Sequence, residues 1–387
     1  MIIPPFDLFI AEKPLYYKEI DHKRVHVAYA KLEQQIEHPK TIHIVGTNGK
    51  GSTGRMIAHL AYLSGLQIGH FSSPHILKFN ERIWLNGRDS SDEMLESAHR
   101  KLYEILGCEQ SRVLSYFEYT TLLALVAFEK LDLIILEAGL GGEYDATNVC
   151  DKVLSVITPI GIDHQAFLGE TIEEIASTKI RSIQKQVLLA PQVYPEVVKV
   201  AQEIAVDKGA ELLLSTDKGN SVRVQLEEIA KEKSWAGYLV DNALVALQAL
   251  DLLGIDYEVR SLSTLELFGR FYPLTRNIRI DVGHNPLAAK AIVKALSDEV
   301  VLIYNSLDDK EYEAVLRILK PKVKRVEMIP ITSQRAVTAE AITEVLDRIG
   351  LPYSDFGGEV VDTENYLVFG SFYVVEAFIK QLGIELK

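Results

Sequence analysis

The sequence predicts an α/β protein of two units, and three observations carry that expectation. Short runs rich in Val, Ile and Leu alternate with stretches of helical period. The runs are continuous rather than alternating, as in strands covered on both faces. A glycine-rich stretch, GTNGKGST at 46–53, stands where the first of these runs passes into a helix.

Local signals place each element. Strands are expected at 41–45, 132–137, 153–158, 186–190 and 211–214, and helices at 53–64, 118–130, 171–183, 195–208 and 241–253. The helix at 53–64 stops at Gly65, a residue suited to the position after a helix end. The helix at 171–183 opens on Thr171 with Glu174 three residues on, the pattern of a capping box, and carries Ile172, Ile175, Ala176 and Ile180 at helical spacing. A second alternation follows GRFYPL at 269–274, with strands near 277–281, 299–304, 323–329 and 365–369 and helices near 286–297, 310–319, 337–349 and 372–382. The domain boundary therefore falls near 270, dividing the chain into 1–269 and 270–387.

Composition removes several function classes. The 387 residues suit two domains, and 48% apolar with 25% charged residues is ordinary for a folded protein. A net charge of -13, with no long Lys or Arg run, opposes nucleic-acid binding. Two cysteines, Cys108 and Cys150, form no CxxC pair, so neither a disulfide framework nor a zinc site is indicated. The opening 1–17 has no basic segment before its apolar residues and carries Pro4, Pro5 and Asp7, unlike a secretory signal. The apolar segment 120–140 is broken by Glu129, Lys130, Asp132 and Glu137, which are costly in a bilayer. A cytoplasmic protein that engages no membrane is the expectation.

The stretch at 46–53 departs from the P-loop spacing GxxxxGK[ST], since Gly51 intervenes between Lys50 and Ser52. Its ingredients remain those of a phosphate cradle: a strand, a glycine turn, a helix N-terminus and a lysine. A plain turn capped by Thr53 would need the glycines but not Lys50. Ser52 or Thr53 could hold Mg²⁺. Glu137 ends the strand 132–137, and in an open α/β sheet that edge also carries the 46–53 loop, which makes Glu137 a candidate metal ligand. Asp163 and His164 follow the strand 153–158 towards the same edge. His164 alone reads as a loop histidine, but beside Ser52 and Glu137 it reads as a third ligand. Periodicity alone makes Lys179 a solvated lysine near a helix end. In the second unit, Asp281, His284 and Asn285 stand at another strand-to-helix turn, where Pro286 suits the first helical position and Asn285 the cap. An acid and an imidazole there could position a substrate or nucleotide phosphates.

Taken together, GTNGKGST at 46–53, FSSPHILKFNERI at 71–83, YFEYTT at 116–121, ILEAGLGGEYDATN at 135–148, ITPIGIDHQAFLG at 157–169, GRF at 269–271, DVGHNPLAA at 281–289 and GSFYVVEAF at 370–378 resemble the folylpolyglutamate synthase and dihydrofolate synthase family. That family lies within the Mur-type ATP-dependent amide ligases. The resemblance implies an N-terminal P-loop-type ATPase domain with a mostly parallel sheet, a smaller C-terminal Rossmann-like α/β domain, and catalysis in the cleft. It implies ATP and Mg²⁺, with dihydropteroate, reduced folates and L-glutamate as substrates. By position, Thr47, Asn48, Gly49, Lys50, Gly51, Ser52 and Thr53 would bind ATP phosphates, and Arg270 and Asp281 would meet ATP from the far side. Asn242 would lie near the adenine. Ser52, Glu137 and His164 would hold Mg²⁺, and Lys179 matches a lysine that members carry as a metal-binding carbamate. Ser73, Pro74, His75, Arg82 and Asp145 would belong to the pterin side, and His284 and Ser371 to the incoming glutamate. The chain departs from the pattern at Lys179, which sits in TKIRSI rather than before Ala-Gly, and at Leu239, where a glutamine is usual. The resemblance also implies a monomer. Two other readings are a Mur-type ligase of a cell-wall precursor and a nucleotide-binding regulatory protein. The NGKGST and SPH stretches oppose the first, and the survival of Glu137, His164, Asp281 and His284 opposes the second.

Overall fold

The computed structural model describes residues 2–14 and 21–384. Within the opening 1–17 discussed above, Met1 and residues 15–17 lie outside the described residues. The chain divides into two compact units, one formed by Met1–Ile160, Ile172–Asp217 and Leu244–Leu262, the other by Gly161–Thr171, Lys218–Ala243 and Ser263–Lys387.

The first unit is built on eight strands: β1 (Lys40–Val45), β2 (Ile68–Phe71), β3 (Ile83–Leu85), β4 (Arg88–Asp89), β5 (Leu133–Glu137), β6 (Leu154–Ile157), β7 (Gln186–Leu189) and β8 (Glu211–Leu214). Their spatial order is β4-β3-β2-β5-β1-β6-β7-β8. Central β1 pairs in parallel with β5 and β6, so that Ile44 faces Glu137 on one side and Val45 faces Ile157 on the other. Only the β2–β3 and β3–β4 pairs are antiparallel. All residues of β5 and β6 and the last five of β1 are buried, the double covering that their unbroken apolar runs predict. Phe71, Leu95, Leu102, Tyr119, Leu122, Ile134 and Leu136 meet in one continuous core on this sheet.

The second unit carries β9 (Tyr272–Pro273), β10 (Ile278–Asp281), β11 (Val300–Tyr304), β12 (Val323–Met328), β13 (Tyr353–Asp355) and β14 (Tyr366–Phe369) in the order β13-β12-β11-β14-β10-β9. All pairs are parallel except β10 with β9. Leu302, Tyr304, Leu316, Val326, Leu346, Leu367 and Phe369 form its core.

The helix predicted at 53–64 runs Lys50–Leu63, because Gly49 takes the N-cap position at φ 88° and the turn closes three residues earlier. Thr53 is therefore a buried residue inside the helix, not its cap. The helix predicted at 241–253 spans Gly237–Leu252. Helices Asp92–Val113 and Asn220–Lys233 and strands β2 to β4 were not anticipated. The apolar segment 120–140 divides into helix Tyr116–Ala127 and β5, and among the described residues no helix is long and apolar enough to cross a membrane.

Burial drives His43, His59, His70 and His99 below the ordinary imidazole pKa, so the folded protein binds protons at these rings more weakly than the unfolded chain does. As pH falls through about 6.5 the unfolded chain takes up protons that the folded one refuses, and stability falls. Each such proton contributes a slope of about 1.4 kcal/mol per pH unit. Urea midpoints at pH 7.5 and 5.5 test this, with a lower midpoint expected at pH 5.5.

Candidate active site

In the first unit the chain leaves β1 through Gly46 at φ 150°. A Cβ at Gly46 would lie 2.0 Å from Thr158 Oγ1 and 2.9 Å from the Thr158 carbonyl oxygen, so glycine is required there. The Thr47 and Asn48 amides both donate to the Pro159 carbonyl, at 3.0 and 3.1 Å, and tie the loop to the end of β6. Gly49 then opens the helix without offering a side-chain cap. Thr53 N and Ser52 Oγ donate back to the Gly49 carbonyl at 2.9 and 3.1 Å.

Two ammonium groups converge on one carbonyl of this loop. Lys50 Nζ donates to the Gly46 oxygen at 3.2 Å and to the Thr47 oxygen at 3.3 Å. Lys179 Nζ donates to the same Gly46 oxygen at 3.1 Å. Lys179 is 4% exposed, which corrects its reading as a solvated lysine. It follows Ile175 by four residues and Ala176 by three, and so shares their buried face. Glu137, at the end of β5, places Oε1 3.9 Å from Lys50 Nζ, while Oε2 accepts the Ser73 amide at 3.3 Å.

The glycine loop after β5 is held from within. Asp145 accepts the Leu140 amide at 2.8 Å and, through its other oxygen, the Thr147 amide at 3.0 Å and hydroxyl at 2.5 Å. Burial raises its pKa and these donors oppose the rise. His43 Nε2 lies 2.8 Å behind the Thr147 hydroxyl. In the 71–83 segment Glu81 accepts the amides of Ile76, Leu77 and Lys78 at 2.7, 2.8 and 2.8 Å. Arg82 Nε donates to His75 Nδ1 at 2.8 Å, with its guanidinium 5.3 Å from the Tyr116 ring centre. The peptide bond between Ser73 and Pro74 is cis.

The second unit has its own polar centre. Asp163 accepts Lys310 Nζ at 2.7 Å and Asn285 Nδ2 at 3.3 Å, with His284 Nε2 at 3.6 Å. Burial alone would raise the Asp163 pKa, but His284, His164 and Lys310 outweigh it and hold this carboxyl well below the usual range. His164, in left-handed backbone at φ 52°, lies with Nε2 3.1 Å from Lys310 Nζ and Nδ1 3.7 Å from Asp309. Sequence reasoning missed Lys310 and Asp309. They stand in the polar loop at the carboxyl end of β11, and the strand-end rule that selected Glu137 would have found them.

The remaining candidates sit nearby in chain and fold. Asp281, at the end of β10, accepts the Phe271 amide, and Arg270 Nη1 donates to the Gly269 carbonyl at 3.2 Å. Asn242 is buried. Asn285 caps the helix Pro286–Ala295 by accepting the Ala288 amide at 2.9 Å, as expected, and Ser371 caps Phe372–Gln381 by accepting the Val374 amide at 3.2 Å. Among the described residues no three His, Cys, Asp or Glu side chains gather into a metal-binding group. The oxygen donors Ser52 and Glu137 beside a phosphate cradle nevertheless fit Mg²⁺, which takes few protein carboxylates and completes its shell with water and substrate phosphate.

A glycine loop at the carboxyl end of a central parallel strand, opening a helix and backed by two lysines, defines a nucleotide-binding α/β protein. No family model matches the chain. It is 32% identical over 400 residues to the dihydrofolate synthase/folylpolyglutamate synthase of Escherichia coli, covering 93% of this chain and 91% of that one. The fold matches the crystal structure of Helicobacter pylori folylpolyglutamate synthetase with a TM-score of 0.79, at 38% identity over 97% of each chain. It also matches a bifunctional folylpolyglutamate synthase/dihydrofolate synthase solved with Mn, AMPPNP and L-glutamate, with a TM-score of 0.83, at 25% identity over 98% of each chain. The chain belongs to the dihydrofolate synthase/folylpolyglutamate synthase family.

Proposed function

We propose that this protein is an ATP-dependent ligase that joins L-glutamate to dihydropteroate and to the γ-carboxyl of reduced folates. The observation that carries the reading is the convergence of Lys50 and Lys179 on the Gly46 carbonyl, at 3.2 and 3.1 Å, beside a helix N-terminus without a side-chain cap. Lys50 and that helix N-terminus concentrate positive potential where a polyphosphate can lie, and Lys179 beside them would turn from cation to anion on carbamylation.

A carboxylate is a poor acyl donor because its oxygen leaves badly. Its attack on the γ-phosphorus of ATP releases ADP and gives an acyl phosphate. The glutamate amine then adds to the acyl carbon, phosphate departs, the nitrogen loses a proton and an amide remains. Lys50 and the first amides of the helix Lys50–Leu63 would stabilise the phosphoryl charge, and Arg270 and Asp281 would serve as further ATP contacts. Ser52 and Glu137, with Lys179 as its carbamate, would hold Mg²⁺, which when bound neutralises charge on the transferring phosphate. A carbamate on Lys179 would keep one N–H for the Gly46 carbonyl and supply an anionic oxygen. Thr47, Asn48, Gly49, Gly51 and Thr53 would shape the phosphate loop. Ser73, Pro74, His75, Arg82 and Asp145 would serve the pterin side, His284 and Ser371 the glutamate, and Asn242 the adenine. We place the functional division at 1–269 and 270–387, in a cytoplasmic monomer.

The test is incubation with Mg-ATP and L-glutamate, offering dihydropteroate and tetrahydrofolate separately and reading product masses. A gain of one glutamate on dihydropteroate and further gains on tetrahydrofolate are expected. No gain on either, in folded protein that binds ATP, removes the folate assignment.

A further inference from the structure

Asp281 is 4% exposed, and its carboxylate accepts three hydrogen bonds from its surroundings. One oxygen accepts the Gly283 amide at 2.7 Å. The other accepts the Phe271 amide at 2.8 Å and the Tyr238 hydroxyl at 2.8 Å. Phe271 stands at φ 47°, left-handed backbone that a bulky residue adopts only when its surroundings impose it. The Val282 amide donates to the Gly269 carbonyl at 3.0 Å, closing the same turn from its other side. Arg270 is the residue between these two anchors, with its guanidinium 5.3 Å from the Phe372 ring centre.

Tyr238 belongs to the helix Gly237–Leu252, four residues before Asn242 and therefore on the same helix face. Leu239, which occupies the position where a glutamine is usual, is fully buried and has no polar group to offer. We infer that Tyr238 is a positioning residue for the nucleotide: its hydroxyl locks Asp281, and Asp281 holds the strained turn that aims Arg270. The inference rests on the reading of Arg270 and Asp281 as ATP contacts. It adds that the helix carrying Asn242 and the turn carrying Arg270 are set against each other by one phenolic hydrogen bond.

The test compares Tyr238→Phe, Asp281→Asn, the double variant and Arg270→Ala in the full chain. The readouts are the KM for ATP, the KM for glutamate, and the affinity for a non-hydrolysable ATP analogue by calorimetry. Tyr238→Phe removes one oxygen and is expected to raise the KM for ATP about tenfold, as for loss of a hydrogen bond to a charged group, with the KM for glutamate unchanged. Asp281→Asn, close in shape, is the second variant and must also raise the KM for ATP. In the Asp281→Asn background the added Tyr238→Phe change is expected to do nothing more, whereas a purely structural tyrosine would add its own effect. An unchanged KM for ATP in Tyr238→Phe or Asp281→Asn, with Arg270→Ala impaired, overturns the positioning role and leaves the nucleotide reading intact. Unchanged ATP binding in Arg270→Ala overturns both.

Discussion

Lys50→Ala is expected to lower kcat/KM for ATP by about 100- to 1,000-fold while the protein stays folded. Among the described residues its ammonium touches loop carbonyls at 3.2 and 3.3 Å and stands 3.9 Å from Glu137, contacts that water could largely replace. A phosphate oxygen would offer the same ammonium a charged acceptor, and the interaction strengthens as charge develops during phosphoryl transfer. Loss of that neighbour leaves Glu137 buried with the Ser73 amide still donating to it, and a stability change of about 1 kcal/mol is expected by chemical denaturation. Steady-state kinetics with ATP varied, read beside that denaturation curve, checks both halves. Near-normal kcat/KM would remove the phosphate role of the 46–53 loop.

Gly46→Ala is expected to destabilise the protein by about 3–5 kcal/mol and to abolish nucleotide binding. Two costs add at this residue. The backbone at φ 150° lies outside the range that L side chains ordinarily adopt. The added methyl would also stand 2.0 Å from Thr158 Oγ1 and 2.9 Å from the Thr158 carbonyl, and the second of these atoms cannot move without displacing the end of β6. Relief requires the loop to shift, and the loop carries the carbonyl on which both lysines converge. Urea denaturation and calorimetry with an ATP analogue test the pair of effects, and wild-type values for both would show that the loop accommodates a side chain.

What the sequence disclosed depended on the length and locality of each signal. Strands β5 and β6 are legible because complete burial makes their residues uniformly apolar. Strands β3 and β4, with three and two residues, are too short to show a period. The start of the helix at 50 was misplaced because Gly51 reads as a breaker, whereas the structure keeps it inside the first turn and gives the cap to Gly49. Lys179 illustrates a different failure: read as a solvated lysine near a helix end, it lies four residues after Ile175 and three after Ala176 and shares their buried face. Glu137 and Asn285 were found because each ends or begins an element with a clear local mark. Lys310 was passed over although it follows the carboxyl end of β11; the strand-end rule marks its place, while its partner Asp163, 147 residues away in sequence, is visible only in the fold. Asp145, expected on the pterin side, has its carboxylate occupied by amides and a hydroxyl of its own loop, an arrangement that only the fold reveals.

Glu137 holds one oxygen 3.9 Å from the Lys50 ammonium and accepts the amide of Ser73 with the other at 3.3 Å. A carboxylate divided in this way is a thermodynamic joint. Any ligand that draws Lys50 away changes the electron density available to the Ser73 amide, and any ligand that reshapes the 73–75 turn changes the counter-charge felt by Lys50. Such linkage is reciprocal by necessity: if occupancy of the phosphate loop tightens binding at the neighbouring turn, occupancy of the turn tightens binding at the phosphate loop by the same factor. Where that coupling holds, a substitution in either loop shifts the affinity of the other as well as its own.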